Sequence, residues 1–147
     1  MKKLAFSIAF FALASIIFYA CKEEEVSNQQ FVQNHIIGKW PLKRSISIIK
    51  KNGIETENDT LIYGKDSTSL PIDTVQFLAD GTFIRNKDDS FKYAVDGEGN
   101  RIIFSRDSIG TWFIKFLRRQ SIILTQERTE NTGSDTFIYY KEQQLIK

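Results

Sequence analysis

Apolar and polar residues alternate along most of the chain from Phe31 onward, in short segments separated by Gly, Asp and Asn residues. A period of two is typical of half-buried β-strands, because successive side chains of a strand point to opposite faces. Short strands joined mainly by tight turns favour an all-β fold, an antiparallel up-and-down β-barrel of about eight strands built from about nine strand segments. A β-sandwich is the alternative. Closure is favoured because it leaves no long strand edge exposed.

A short helical turn and a long first strand are predicted at the start of this region. The apolar positions of residues 31–37 are compatible with a brief helix that ends at Gly38. The first strand is predicted over residues 39–50. Its buried face is expected to carry Trp40, Leu42, Ile46 and Ile48, and its other face Lys39, Lys43, Ser45 and Ser47.

Tight turns predict the hairpins that follow. Residues 73–78 and 82–85 flank Ala79-Asp80-Gly81, a loop whose glycine accepts a left-handed conformation and which places Phe77 opposite Phe83. The remaining strands are predicted over residues 60–63, 91–95, 102–104, 112–117, 121–128 and 135–141. The polar segments between them are interpreted as turns or loops, including Asn52-Gly53, Asn58-Asp59 and residues 129–134.

The first 20 residues have the layout of a secretory signal. Met1-Lys2-Lys3 is a short cationic start, and residues 4–20 contain no charge, proline or glycine. Cleavage is expected before Cys21. Because 17 residues lie at the lower limit of a membrane-spanning helix, roughly 17 to 25 residues, an uncleaved membrane anchor is an alternative, as is ordinary secretion.

Ala20-Cys21, at the end of the apolar run, resembles a bacterial lipobox, in which a small residue precedes a cysteine that becomes lipidated. The resemblance implies that the thiol of Cys21 carries diacylglycerol and that acyl chains such as palmitate anchor the protein to a membrane without crossing it. The domain organisation expected is a signal peptide at 1–20, a lipidated cysteine with a flexible acidic tether at 21–30, and a barrel domain at 31–147.

Acidic residues follow the cysteine directly. A charged, amide-rich stretch of this kind is typical of a solvated tether. It also resembles the export signal that sends certain Gram-negative lipoproteins to the outer face of the outer membrane, and the periplasmic leaflet is the alternative location. The residues that carry this second resemblance are Lys22, Glu23, Glu24 and Glu25.

The charge balance argues against a nucleic-acid partner. The full chain has 20 Lys and Arg residues and 18 Asp and Glu residues. Removal of residues 1–20 takes away Lys2 and Lys3 and leaves 18 of each sign, so the processed chain is neutral. Binding to phosphates depends on a basic face that releases counterions.

Few residues are available for catalysis or for metal binding. Cys21 is the only cysteine and His35 the only histidine, so nucleophile–histidine pairs and zinc sites have no second member. The alternation Asp96-Gly97-Glu98-Gly99-Asn100 offers too few oxygen ligands for calcium, which takes roughly 6 to 8. We therefore expect no catalytic residue, no metal, no cofactor and no enzymatic activity.

Three segments together resemble the lipocalin-like domain of small Gram-negative outer-membrane lipoproteins. The first is Gly38-Lys39-Trp40. The second is the hairpin formed by residues 73–77 and Asp80-Gly81-Thr82-Phe83. The third is Trp112-x-Ile114-x-x-Leu117 followed by Ile122-x-Leu124. The resemblance covers roughly residues 31–142. It implies a barrel closed at one end by Trp40, with a basic residue of the last strands, Arg128 or Lys141, stacked on that tryptophan.

Large aromatic side chains are expected to point into such a barrel. One interpretation is a pocket for a small apolar or amphipathic ligand. Its lining would be Trp40, Phe77, Phe83, Tyr93, Trp112 and Phe137. The alternative is that these rings, with Phe91 and Phe104, fill the interior, because eight strands leave room for side chains or for one small ligand. A filled barrel favours a protein-interaction module that docks an outer-membrane complex or inhibits an external enzyme; neither partner is identified by the sequence.

Four short segments resemble the Asp-Ser/Thr-aliphatic sites that some Gram-negative groups O-glycosylate in exported proteins. They are Asp59-Thr60-Leu61, Asp66-Ser67-Thr68, Asp73-Thr74-Val75 and Asp107-Ser108-Ile109. The plain interpretation is that a polar pair opens a strand. The loop around residues 59–68 is the expected place for any modification, because a glycosyltransferase must reach it.

Overall fold

The structure is a computed structural model that describes residues 27–64, 70–85 and 89–147. In these ranges the chain forms one helix and nine strands. The elements are α1 (Asn28–Ile36), β1 (Gly38–Lys51), β2 (Ile54–Ile62), β3 (Thr74–Phe77), β4 (Thr82–Arg85), β5 (Asp89–Val95), β6 (Arg101–Phe104), β7 (Thr111–Arg118), β8 (Ser121–Thr132) and β9 (Asp135–Ile146). The predicted signal peptide, Cys21 and the acidic residues after it lie outside the described residues.

Eight of the strands close into a barrel. From β3 to β9 each strand pairs with the next along the chain, and β1 completes the ring by pairing with both β3 and β9. All of these pairings are antiparallel. The predicted closed all-β barrel is confirmed, and it is consistent with a lipocalin-like fold.

The helix covers one end of the barrel, which we call the closed end. The side chain of Ser27 caps the helix by accepting a hydrogen bond from the Gln30 backbone N–H at 3.2 Å. Val32 and Ile36 are buried on its inner face. This cap starts the helix three residues before the predicted boundary at Phe31, so residues 28–30 are helical and not part of a flexible tether.

The turns between β3 and β4, β5 and β6, and β7 and β8 also lie at the closed end. One of them touches the helix: a Cβ atom added to Gly99 would lie 2.7 Å from the carbonyl oxygen of Asn28. Gln29 donates its side-chain amide to the carbonyl oxygen of Val95 at 2.8 Å. The opposite end of the barrel, where the turn at residues 105–110 lies, has no helix over it among the described residues, and we call it the open end.

A bulge in β1 overturns the predicted faces of that strand. The pairing between β1 and β9 shifts by one residue between Leu42 and Arg44, so that Lys43 is the extra residue. Trp40 and Leu42 point into the core as predicted. Beyond the bulge the alternation is inverted, and the inward positions are held by Ser45 and Ser47 instead of Ile46 and Ile48.

Three strands continue past the barrel and, together with β2, form an extension that we call the wing. It consists of the 44–51 part of β1, all of β2, the 126–132 part of β8 and the 135–141 part of β9. Asn58-Asp59 and residues 129–132 were predicted as loops, which is wrong, because they lie in β2 and β8. Every residue of β2 is exposed, so no apolar alternation marks it as a strand.

Candidate ligand-binding site

The interior of the barrel is packed with side chains. Phe83 has ring centroids of Phe77, Phe91 and Phe104 at 4.9, 5.0 and 5.0 Å. Tyr93 stands edge-on to Phe77 at 5.0 Å and donates its hydroxyl to the carbonyl oxygen of Leu78 at 2.9 Å. Burial of this ring raises the pKa of its hydroxyl, and nearby Asp80 adds to the effect. The aromatic side chains therefore act as core over most of the barrel.

A small cavity remains inside, towards the open end. Its volume is about 40 Å³, and Val75, Phe83, Phe104 and Trp112 contribute to its wall. Since one water molecule needs about 10 to 15 Å³ of such space, the cavity accepts a few water molecules or a small apolar group.

A larger cleft of about 300 Å³ lies directly above this cavity, at the open end. Cavity and cleft share Arg85, Ile109, Trp112 and Gln143 in their walls, so Trp112 borders both. The rest of the cleft wall is mainly polar. Its other lining residues are Ser45, Ser47, Leu61, Tyr63, Ser108, Gln126 and Lys141.

Strand pairing explains why polar groups collect at the open end. In the register of the sheet Lys141 on β9 lies between Ser47 on β1 and Gln126 on β8. One step closer to the core, Gln143 stands opposite Ser45. These side chains share the inward face of three adjacent strands because the bulge in β1 turns its serines inward.

The turn at residues 105–110 is tied to the wall of the cleft. Gln126 donates its side-chain amide to the carbonyl oxygens of Ile109 at 2.7 Å and Thr111 at 3.3 Å. A second cleft, of about 430 Å³, lies on the other side of this turn and shares Ser108, Ile109, Gln126 and Lys141 with the first. Lys141 thus faces both spaces.

The charged groups among the described lining residues of the first cleft are positive. Arg85 lies 3.4 Å from a carboxylate oxygen of Asp73, a long ion pair, and the other carboxylate oxygen is buried without a hydrogen-bond partner in the described part of the chain. Lys141 forms no ion pair with any described residue. No Asp or Glu side chain is found among the described lining residues of this cleft.

The six aromatic residues predicted to line a ligand are not brought together. Trp40 and Phe77 are fully buried at the closed end. Phe83 borders the small cavity, and Trp112 borders both the cavity and the cleft. Tyr93 lies in the core, and Phe137 lies on the wing, stacked on Tyr139 at 6.5 Å.

Sequence reasoning missed the polar lining of the cleft. Lys141 and Gln143 continue the inward alternation of β9 from Leu145, which is a signal that can be read once β9 is known to extend to Ile146. Ser45 and Ser47 carry no such signal, because nothing in the local sequence marks Lys43 as a bulge.

The basic residue stacked on Trp40 is Lys147, and the prediction of Arg128 or Lys141 is wrong. The ammonium group of Lys147 lies 4.0 Å from the centre of the Trp40 ring and 3.3 Å from the carbonyl oxygen of Ile37. Arg128 stacks on Tyr139 at 5.0 Å instead. Because β9 extends to Ile146 and ends at the closed end, the next residue, Lys147, lies beside Trp40.

The remaining predicted sites are scattered. The ring of His35 stacks on the ring of Phe31, with 4.0 Å between the ring centroids, and the Nδ1 atom of His35 lies 2.7 Å from the carbonyl oxygen of Phe31. Residues 59–61 lie on exposed β2, and Ser108 lies in an exposed turn, whereas residues 66–68 fall outside the described ranges.

Within the described residues we find no group of three or more His, Cys, Asp or Glu side chains suited to a metal ion. No helix there is long and apolar enough to span a membrane.

The fold and the cleft together define a small closed β-barrel with a polar opening above an aromatic core. No protein family model, curated protein or solved structure matches the chain.

Proposed function

We propose that this protein is a lipid-anchored, non-enzymatic binding protein that holds a small amphipathic ligand at the open end of its barrel. The cleft of about 300 Å³ bordered by Trp112 carries the proposal. This volume lies at the lower end of the range for small-molecule sites, about 300 to 1,000 Å³. The core below admits only a small apolar group, so the ligand sits at the mouth and not in a deep calyx.

The position of the helix supports an outward-facing cleft. Ser27 lies at the closed end, where the helix contacts the turn that contains Gly99. Residues 22–26 would join that end to a lipid on Cys21, and five residues span at most about 18 Å. In this arrangement the closed end faces the bilayer and the cleft faces away from it, so the ligand arrives from solution.

Native mass spectrometry of the protein purified from its own host tests ligand binding. A co-purified small molecule that is lost on unfolding is the expected result. Limited labelling of residues that border the cleft, with and without that molecule, then checks its position. A molecule that protects only residues far from Trp112 would contradict the proposed site.

Anchoring at the outer surface has separate tests. We expect Cys21→Ser to leave the protein unprocessed or to release it into the soluble fraction; unchanged processing and membrane retention would refute lipidation. We expect replacement of Glu23, Glu24 and Glu25 by alanine to lower the accessibility of the protein to external protease, while acylation of Cys21 continues. If the protein with these replacements is as accessible to external protease as the unchanged protein, the acidic residues are not an export signal.

A protein-interaction module is the second candidate, and β2 favours it. All nine residues of β2 are exposed, and β1 is the only strand that pairs with it over Ile54–Ile62 among the described residues. An edge strand of this kind is open to pairing with an extended segment of another protein. A protein co-purified with an empty cleft would support this candidate over ligand binding.

A further inference from the structure

Among its described lining residues, the cleft at the open end holds two positively charged side chains, Arg85 and Lys141, and several hydrogen-bond donors without a partner in the described ranges. Ser45, Ser47 and Gln143 make no side-chain hydrogen bond, and Lys141 no ion pair, with a residue of the described ranges. The amide of Gln126 is occupied by the turn at 105–110. The donors left over therefore lie along β1 and β9, in the cross-strand pairs that join Ser45 to Gln143 and Ser47 to Lys141.

The charge of the cleft is only partly balanced by the protein. Arg85 shares its charge with Asp73 across 3.4 Å, but Lys141 has no carboxylate partner among the described residues. Some other lysines are paired with a carboxylate, among them Lys51 with Asp135 at 2.7 Å and Lys115 with Glu142 at 2.9 Å. Lys141 is exposed at the mouth of the cleft. Without an ion pair among the described residues, its charge adds to that of Arg85 in attracting an anion to the cleft.

Apolar and polar side chains both border the floor of the cleft, where Trp112 and Ile109 lie beside Arg85 and Gln143. Trp112 borders both the cleft and the small cavity, together with Ile109, and the cavity below is lined by Val75 and Phe83. Lys141 and Ser47 lie farther along their strands from the core than Gln143 and Ser45. A ligand with an apolar end directed at Trp112 and a charged end near Lys141 matches this arrangement.

We propose that the ligand is a small organic anion, a carboxylate or a group of like charge on a short apolar or aromatic skeleton. This inference rests on the proposed function, since it names the class of ligand for the same cleft. The anionic group accepts hydrogen bonds from Lys141 and from the donors of β1 and β9. The apolar end covers Trp112 and reaches the cavity of about 40 Å³.

The two tryptophans allow a direct test with the full-length lipidated protein in nanodiscs of zwitterionic lipid. Trp40 is buried at the closed end, where its indole N–H donates to the carbonyl oxygen of Ile36 at 2.6 Å, and Trp112 borders the cleft. Incorporation of 5-fluorotryptophan gives two fluorine resonances, which Trp112→Phe assigns. The probes are 3-phenylpropionate, its neutral amide 3-phenylpropionamide, and the cation 3-phenylpropylamine.

We expect 3-phenylpropionate to shift the Trp112 resonance and to leave that of Trp40 in place. Its affinity should exceed that of the amide at least tenfold, and the amine should bind least. Lys141→Gln should remove the preference for the anion, while Lys141→Arg keeps it. Lys39→Gln is the matched control, because Lys39 is an exposed lysine of β1 at the closed end.

The outcomes separate the two proposals. Equal binding of the three probes at Trp112 overturns the anionic class and leaves ligand binding at the cleft intact. An unchanged anion preference in Lys141→Gln overturns Lys141 as the group that binds the anion. If none of the three probes shifts the Trp112 resonance, both the anionic class and the cleft as a site for small amphipathic ligands are refuted. A loss of signal dispersion in Lys141→Gln would indicate misfolding, and Lys141→Met with a native spectrum then takes its place.

Discussion

Glu142 is a buried carboxylate on the outer face of β9, and its replacement by glutamine tests how that strand is held. Its side chain is 9% exposed and accepts three hydrogen bonds. The donors are Lys115 Nζ at 2.9 Å, the Tyr140 hydroxyl at 2.8 Å and Gln144 Nε2 at 2.9 Å. Because Glu142 is turned outward, its neighbours Lys141 and Gln143 are turned towards the cleft.

The expected magnitude follows from the pKa of this carboxyl group. Burial alone would raise the pKa of Glu142, but the hydrogen bonds from Gln144, Lys115 and Tyr140 and the charge of Lys115 together outweigh it and lower the pKa from 4.5 to about 2. That difference corresponds to roughly 3 kcal/mol of folding free energy at neutral pH. Since Lys115 is 57% exposed and partly screened by solvent, we expect Glu142→Gln to cost about 2 kcal/mol at pH 7.

The pH dependence has a definite sign. A carboxyl group whose pKa is lowered on folding stabilises the protein above its unfolded pKa, and this contribution is lost as the pH falls through the folded value. Urea unfolding of the full chain and of Glu142→Gln, measured at steps between pH 7 and pH 2, should show a difference that narrows below about pH 4.5 and nearly closes at pH 2. A difference that stays constant or widens on acidification would refute this account. Asp80→Asn, which removes an exposed carboxylate hydrogen-bonded to Thr82, is the control and should have a much smaller effect.

Two further predictions concern the closed end. Gly99→Ala should destabilise the protein by about 2 to 4 kcal/mol, because the new Cβ atom meets the Asn28 carbonyl at 2.7 Å in addition to the strain of a positive φ of 74°. Gly133→Ala has a similar φ of 63° but nothing within 4 Å, so a cost of about 1 kcal/mol is expected, and equal costs in urea unfolding would contradict the helix contact. Lys147→Gln should lower the unfolding free energy by about 0.5 to 1 kcal/mol through loss of the cation over Trp40, and Lys147→Arg should restore it. Identical unfolding curves with Lys, Gln and Arg at position 147 would show that the contact with Trp40 does not stabilise the protein.

Local patterns predicted the hairpins of the barrel well. The loop at residues 79–81 brings Phe77 opposite Phe83, as its spacing indicates, and Gly81 has a φ of 75°. Such hairpins are encoded over a few neighbouring residues: alternation sets the face of each side chain, and the glycine sets the turn. Closure by pairing of β1 with β9 was expected from the number and spacing of the strands, and it is present.

The wing and the polar cleft are not local properties. Residues 54–59 and 129–132 are exposed, so their strand conformation depends on backbone hydrogen bonds to β1 and β9 and not on an apolar face. The extra residue at Lys43 is defined only by the strand that pairs beside it. Consequently the sequence pattern predicted Ile46 and Ile48 for the buried face, whereas the paired strands place Ser45 and Ser47 there.

The sequence by itself determined the antiparallel barrel, its tight hairpin turns and most of the aromatic content of the core, because these depend on alternation, glycine placement and side-chain volume. Only the tertiary structure decided that the core is filled, that Lys147 and not Arg128 or Lys141 covers Trp40, and that a cation with no ion pair in the described ranges faces a polar cleft. The physical reason is register: closing the ring sets which residues of β1, β8 and β9 share a face, and one bulged residue changes every inward side chain beyond it.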